Sequence, residues 1–216
     1  MDIILTEEET RVLGCLMEKE MATPEYYPLS LNSLTNACNQ KSNRDPVTSY
    51  SEETVSNAID GLRKKKLAME SSGSRVVKYA QTFSSEFNLN RKEEAVCCIL
   101  FVRGPQTIGE IRGRTERLYS FSTLEEVQET ISRLETMGLV EKLPRQPGRK
   151  ESRYSHLMGG DPGESKDDEG SLADTTDNIE GKESEGIEEL KSEIDMLRAE
   201  LNNLRQEFEA FKSQFS

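Results

Sequence analysis

"EETVSNAIDGLRKKKL", residues 52–67, and "LEEVQETISRLETMGL", residues 124–139, carry one pattern twice. Val55, Ile59, Leu62 and Leu67 recur as Val127, Ile131, Leu134 and Leu139, each 72 positions on. Apolar steps of three and four place the first three of each set on one helical face. The repeat continues outward. Leu31 and Leu34 match Ile108 and Ile111 at a shift of 77, and Leu5, Val12 and Leu16 match Leu89, Val96 and Leu100 at a shift of 84. Spacing is kept inside each helix and only the connectors shorten, which marks one structural unit used twice.

Each unit reads as three helices and a β-hairpin. Helix one is expected over 6–20 and 90–102, helix two over 30–39 and 107–118, helix three over 52–66 and 123–137. Ser122 and Glu125 stand in capping-box spacing at the start of the last helix, and Gly138 is placed to end it. Extended segments follow at 67–70 and 76–80, around "SSGS", and at 139–143 and 152–157, around "RQPGRK". Three helices and a hairpin are the winged-helix variant of helix-turn-helix. The expected fold class is therefore mainly α with small β wings (α+β): two tandem winged-helix domains, 1–85 and 86–158, and a C-terminal coiled-coil helix.

The net charge of −12 is unevenly spread. Residues 1–85 carry −2, residues 86–158 carry +1 and residues 159–216 carry −11. Acidity belongs to the tail. There is no apolar run of about 18 residues, and "MDIILTEEET" lacks the basic start and apolar core of a signal peptide. A cytoplasmic protein is expected. Cys15 and Cys38 are isolated, Cys97 and Cys98 adjacent, and His156 is the one histidine. None has zinc-site spacing, and adjacent cysteines close a disulfide only with strain. They read as small apolar residues on buried faces. With no Gly-rich phosphate loop and no second histidine to serve a nucleophile, neither an enzyme nor a cofactor is expected. His156 is expected on the wing face.

"NACNQKSNRDPV", residues 36–47, falls between helices two and three of the first unit. Its amides bond to nearby backbone in such turns, and Pro46 pushes Asp45 from helical geometry. It reads either as a self-satisfied connector or as a partner-contact surface presenting Gln40, Lys41, Asn43 and Arg44 outward.

"SLNSLTNACNQKSNRDPV", "RGPQTIGEIRGRTERL" and "LPRQPGRKESRYSHL" resemble the signature segments of the YceH family of uncharacterised bacterial proteins. The resemblance covers about 5–158. It implies two winged-helix domains, a helical tail and a bacterial cytosol, and no established activity or catalytic residue.

Residues 159–186 hold 10 acidic and 2 basic residues and read as a disordered, self-repelling linker. From 187 to 215 apolar residues alternate steps of three and four, the a/d heptad pattern. Glu193, Glu200 and Glu207 at g face Arg198, Arg205 and Lys212 at e in a parallel pair, and like charges meet in an antiparallel one. A parallel coiled-coil homodimer through Ile187, Leu190, Ile194, Leu197, Leu201 and Leu204 is expected. The alternative is a helix folded back on its own domains.

Helix three, the usual major-groove reader, carries Glu125, Glu126, Glu129 and Glu135 against Arg133 in the second unit, and Glu52 and Glu53 at its leading end in the first. The candidate phosphate contacts are Arg63, Lys64 and Lys65 at the trailing end of the first helix three, Arg112, Arg114 and Arg117 on the second helix two, and Arg145, Arg149, Lys150 and Arg153 on the second wing. One expectation is a dimeric DNA-binding regulator or architectural protein that grips phosphates. The other is a protein-interaction adaptor using acidic helix three and the polar connector.

Overall fold

The computed structural model describes residues 3–71, 76–145 and 151–159. The linker 159–186 past its first residue, the heptad segment 187–215, and Arg149 and Lys150 lie outside them. The described chain is a mixed α+β structure with small antiparallel sheets. Among the described residues no helix is long and apolar enough to cross a membrane.

The element order repeats. In the first copy α1 (Glu7–Ala22), a short β1 (Leu29–Ser30), α2 (Leu31–Cys38) and α3 (Glu52–Lys64) precede the hairpin β2 (Ala68–Ser71) and β3 (Lys78–Gln81). After a single turn, α4 (Phe83–Glu86), come α5 (Arg91–Arg103), α6 (Ile108–Thr115), α7 (Leu124–Thr136), β4 (Val140–Lys142) and β5 (Tyr154–His156). The helix caps follow the sequence shifts. Thr6 and Asn90, Ser30 and Thr107, and Ser51 and Thr123 are matched N-caps, and each side chain accepts from a backbone N–H of the first turn. Such caps satisfy donors that a helix leaves open. The cap of α7 is thus Thr123, not Ser122; the Ser122 N–H instead donates to the Glu126 carboxylate at 2.9 Å.

Strand pairing repeats as well. In the first sheet, ordered β1-β3-β2, Leu29 pairs with Tyr79. In the second copy Gln106, 77 positions after Leu29, bridges Tyr154 on the edge of β5 away from β4, a single-residue counterpart of β1. Both third helices end alike. Leu139 N–H donates to Leu134 and Gly138 N–H to Glu135; in the first copy Leu67 donates to Leu62 and Lys66 to Arg63. This is a Schellman ending, whose extra residue sits at positive φ: +71° at Gly138 and +60° at Lys66.

The copies share one core. The most extensive helix contact joins α1 to α5, and buried residues of both halves form a single cluster. Phe83, fully buried, packs on Phe87 and, edge-on, on Phe101 of the second copy. The Leu5 N–H donates to the Met158 carbonyl, so the start of the first copy pairs with the end of the second.

His156 is not on an open wing face. Its ring meets Phe101 edge-on, centroids 5.1 Å apart, and burial pushes its pKa down to about 4. The sequence pattern shows that it alternates along a strand; only the packing of β5 on α5 shows which side is covered.

Candidate anion-contact groove

The connector of residues 36–47 is held inward by Arg44. Its side chain is fully buried against a Glu18 carboxylate. Nη1 and Nη2 donate to the two Glu18 oxygens at 3.1 and 2.6 Å, and Nε and Nη2 donate to the Ala37 carbonyl at 3.0 and 2.8 Å. The expectation that Arg44 points outward is corrected. A guanidinium with that many well-placed acceptors is tolerable inside, whereas a connector with its cation in water would leave Glu18 with Lys19 alone. Burial alone would raise the Glu18 carboxyl. The hydrogen bonds and charge of Arg44, with help from Lys19, outweigh it and hold the carboxyl below its usual range.

The other connector side chains are similarly engaged. Asn39 and Tyr50 exchange two hydrogen bonds, of 2.7 and 2.8 Å. The Gln40 carbonyl oxygen accepts from Lys19 and Arg44, and the Asn43 oxygen accepts from Arg103 at 3.1 Å. Asp45 N–H donates to the Val102 carbonyl, which ties the connector to the end of α5. Lys41 is exposed.

Gln40 and Asn43 share a groove of about 920 Å³ with four cations, Lys19, Arg103, Arg114 and Arg117, and two carboxylates, Glu18 and Glu116; Glu18 is already paired with Lys19 and Arg44. Two residue sets that were separate in sequence therefore meet: the connector amides and the α6 arginines. The groove is built twice from the same positions. Lys19 and Arg103 are 84 apart, and Gln40 and Arg117 are 77 apart, the shifts of helices one and two. Lys19 and Arg103 were absent from the candidates read from sequence, although each is the basic residue in the last turn of its helix one. Burial and the Arg114 charge both lower the Arg103 pKa. An arginine remains charged regardless, so the direction records a cation crowded by a second cation. Asn43 offers it an acceptor without a countercharge.

The remaining candidate cations differ in freedom. Arg63 pairs with Asp60 at 3.1 Å and Glu70 at 2.8 Å, and Lys65 pairs with Glu9. Arg112 donates to the Phe121 and Ser122 carbonyls, closing the α6–α7 connection. Arg114 lies 3.4 Å from Glu110. Arg153 turns from the second hairpin to the Pro105 carbonyl and to Glu110. Lys64, Arg117 and Arg145 are exposed and make no ion pair among the described residues. Exposed pairs are worth about 0–1 kcal/mol, so Arg63 and Arg114 can exchange partners at little cost, while Arg112 and Arg153 hold backbone carbonyls.

The third helices present carboxylates outward. Glu52, Glu53 and Asp60 are exposed on α3, Glu125 and Glu129 on α7. All four cysteines are buried and free. Among the described residues no group of His, Cys, Asp and Glu is arranged to hold a metal ion.

The model of a family described as "Protein of unknown function, DUF480" matches residues 5–149, which takes in the first copy of the repeat and the second through β4. A UPF0502 protein of Solibacter usitatus is 57% identical over 162 residues, covering 74% of this chain and 79% of that protein. UPF0502 proteins of Geobacter sulfurreducens and Pelobacter propionicus are 48% and 47% identical, covering 100% and 97% of this chain and 100% of each relative. The chain belongs to this bacterial family, described as DUF480 and as UPF0502.

Proposed function

We propose that the protein is a non-enzymatic cytoplasmic binding protein of two tandem winged helices that holds a nucleic-acid phosphate backbone without reading base sequence. The helix-helix-helix-hairpin order of each copy and the resemblance to the YceH family support the two winged helices. The observation that carries phosphate binding is the Arg103–Arg114 pair, two cations from the second copy crowded over a groove whose acceptors on the connector are neutral amides. A phosphate between them relieves the repulsion and takes charge-assisted hydrogen bonds from both. Arg145, on the exposed second hairpin, adds a positioning contact. The heptad pattern of 187–215 supports a parallel homodimer, which doubles the valency.

Anisotropy of a labelled duplex DNA, titrated with the full chain at 50 and 200 mM salt, tests this. Four neutralised phosphates (Lys19, Arg103, Arg114, Arg117) predict a loss of roughly 10²-fold in affinity between the two salts. Arg103→Gln with Arg114→Gln reduces both the affinity and the salt slope. No binding at 50 mM salt overturns the reading.

The adaptor reading rests on a different observation, the exposed carboxylates of α3 and α7. They repel a phosphate backbone from the faces that winged helices ordinarily insert, and they suit a basic protein partner. Absent DNA binding, this reading stands.

A further inference from the structure

Two arginines of the first copy are buried, Arg11 at 4% exposure and Arg44 at 5%. Arg44 has its carboxylate, Glu18. Arg11 has none. Its Nη2 donates to the Pro46 carbonyl at 2.7 Å. Its Nη1 is buried without a hydrogen-bond partner, and no carboxylate lies within ion-pairing distance among the described residues. A charge taken out of water needs a countercharge or a full set of hydrogen bonds. The other copy shows that the helix does not require a cation here: 84 positions on, the matching residue is Ala95, fully buried.

Arg11 lines a cleft of about 580 Å³, within the usual range for a small-molecule pocket. The same cleft is lined by His156 of β5, in the second copy. The His156 Nδ1 is also buried and without a partner among the described residues. Two residues that carry orphaned polar atoms, one from each copy, thus line one space. Part of its wall is apolar, Ile4 and Leu5 from the N-terminal segment and Leu100 and Phe101 from α5, and Thr6, Thr10 and Tyr50 add polar groups. Glu7 and Asp45 also line it, and both are exposed.

We infer that this cleft binds a small organic monocarboxylate with an apolar body, the carboxylate ion-paired with Arg11 and hydrogen-bonded by His156, the body packed on Phe101 and Leu100. One carboxylate supplies what Arg11 lacks, a countercharge and an acceptor for Nη1. His156 is uncharged at neutral pH, since burial depresses its pKa to about 4; it offers a hydrogen bond from Nδ1 without adding a second positive charge. The exposed carboxylates of Glu7 and Asp45 disfavour dianions and polyanions, so inorganic phosphate and DNA are excluded here. The site is separate from the basic groove and does not depend on its reading.

Calorimetric titration of the full chain at pH 7 with hexanoate, phenylacetate and benzoate, each beside its neutral amide, tests the inference. At least one carboxylate binds, its amide at least 10-fold more weakly, and inorganic phosphate no better than the amide. Arg11→Gln lowers the affinity at least 10-fold, and His156→Phe, which keeps a ring on Phe101, lowers it several-fold. Should Arg11→Gln fail to fold, amide chemical shifts of the unaltered chain decide: shifts centred on Leu5, Phe101 and His156 support the site, and shifts elsewhere overturn it. Equal affinity for acid and amide, tighter binding of phosphate, or no carboxylate bound at 10 mM likewise overturns it.

Discussion

Gly14 and Cys98 are the same position of the two copies, 84 residues apart, and they touch: the Cys98 thiol donates to the Gly14 carbonyl at 3.5 Å. Helix α1 crosses helix α5 there, equivalent residue on equivalent residue, as across an internal twofold axis.

That crossing leaves no room for a side chain. A Cβ on Gly14 would lie 2.8 Å from both Phe101 Cβ and Val102 Cγ1. Phe101 Cβ is fixed to its backbone and cannot swing aside. Gly14→Ala gains about 1 kcal/mol of helix propensity but forces the helices apart, which costs about 1–3 kcal/mol. Net destabilisation of up to about 2 kcal/mol is expected in urea unfolding; a gain in stability contradicts the close crossing.

Arg44 and Glu18 act as a pair. Arg44→Met leaves the Glu18 carboxylate with Lys19 alone and the Ala37 carbonyl with only the Cys15 thiol, a loss of about 3–5 kcal/mol. The double change Arg44→Met, Glu18→Met recovers much of it, because no charge is then stranded. Since the folded carboxyl titrates below its unfolded value, the stabilisation is complete above the ordinary glutamate range and is lost as pH falls through the lowered folded value. A double-mutant cycle repeated at pH 7 and pH 3 measures both statements.

His156 titrates in a separate window. Its folded pKa of about 4 lies below the unfolded value near 6.5, so the unfolded chain binds the extra proton first. Stability is full above about pH 6.5 and falls by about 3 kcal/mol as the pH drops to 4. His156→Phe flattens the stability curve across that interval. An unchanged slope between pH 6.5 and 4 in the variant shows that the imidazole is not buried as described.

Lys66 holds the positive φ that Gly138 holds in the second copy. A side chain in that region costs about 1–2 kcal/mol, and glycine loses about 0.5–1 kcal/mol of unfolded-state entropy in return. Lys66→Gly is therefore expected to raise stability by a few tenths to about 1 kcal/mol. Chemical denaturation reads the sign, and destabilisation means that the Lys66 side chain makes a contact worth more than the strain.

Much of the described fold was legible along the chain. The shifts of 72, 77 and 84 locate six helices and two hairpins, and the same shifts match their N-caps. One cap was misplaced by a residue, because Ser122 and Thr123 are both capping types and the choice depends on which carbonyl begins the helix. The candidate site was legible only in pieces. The α6 arginines and the connector amides were visible as residue types; that they line one groove with Lys19 and Arg103 was not, though the repeat relates those two. Arg11 was equally open to comparison, since an arginine stands where the other copy has a buried alanine.

By itself the sequence determined the elements, because periodicity, caps and helix endings are set by hydrogen bonds between residues at most five apart. The burial of Arg44, the lack of a counter-ion for Arg11 among the described residues and the depressed imidazole of His156 were decided by tertiary structure. Each depends on which groups arrive from elsewhere in the chain, such as Glu18 beside Arg44 and Phe101 beside His156. The free energy of a charge is governed by that surrounding rather than by its neighbours in sequence.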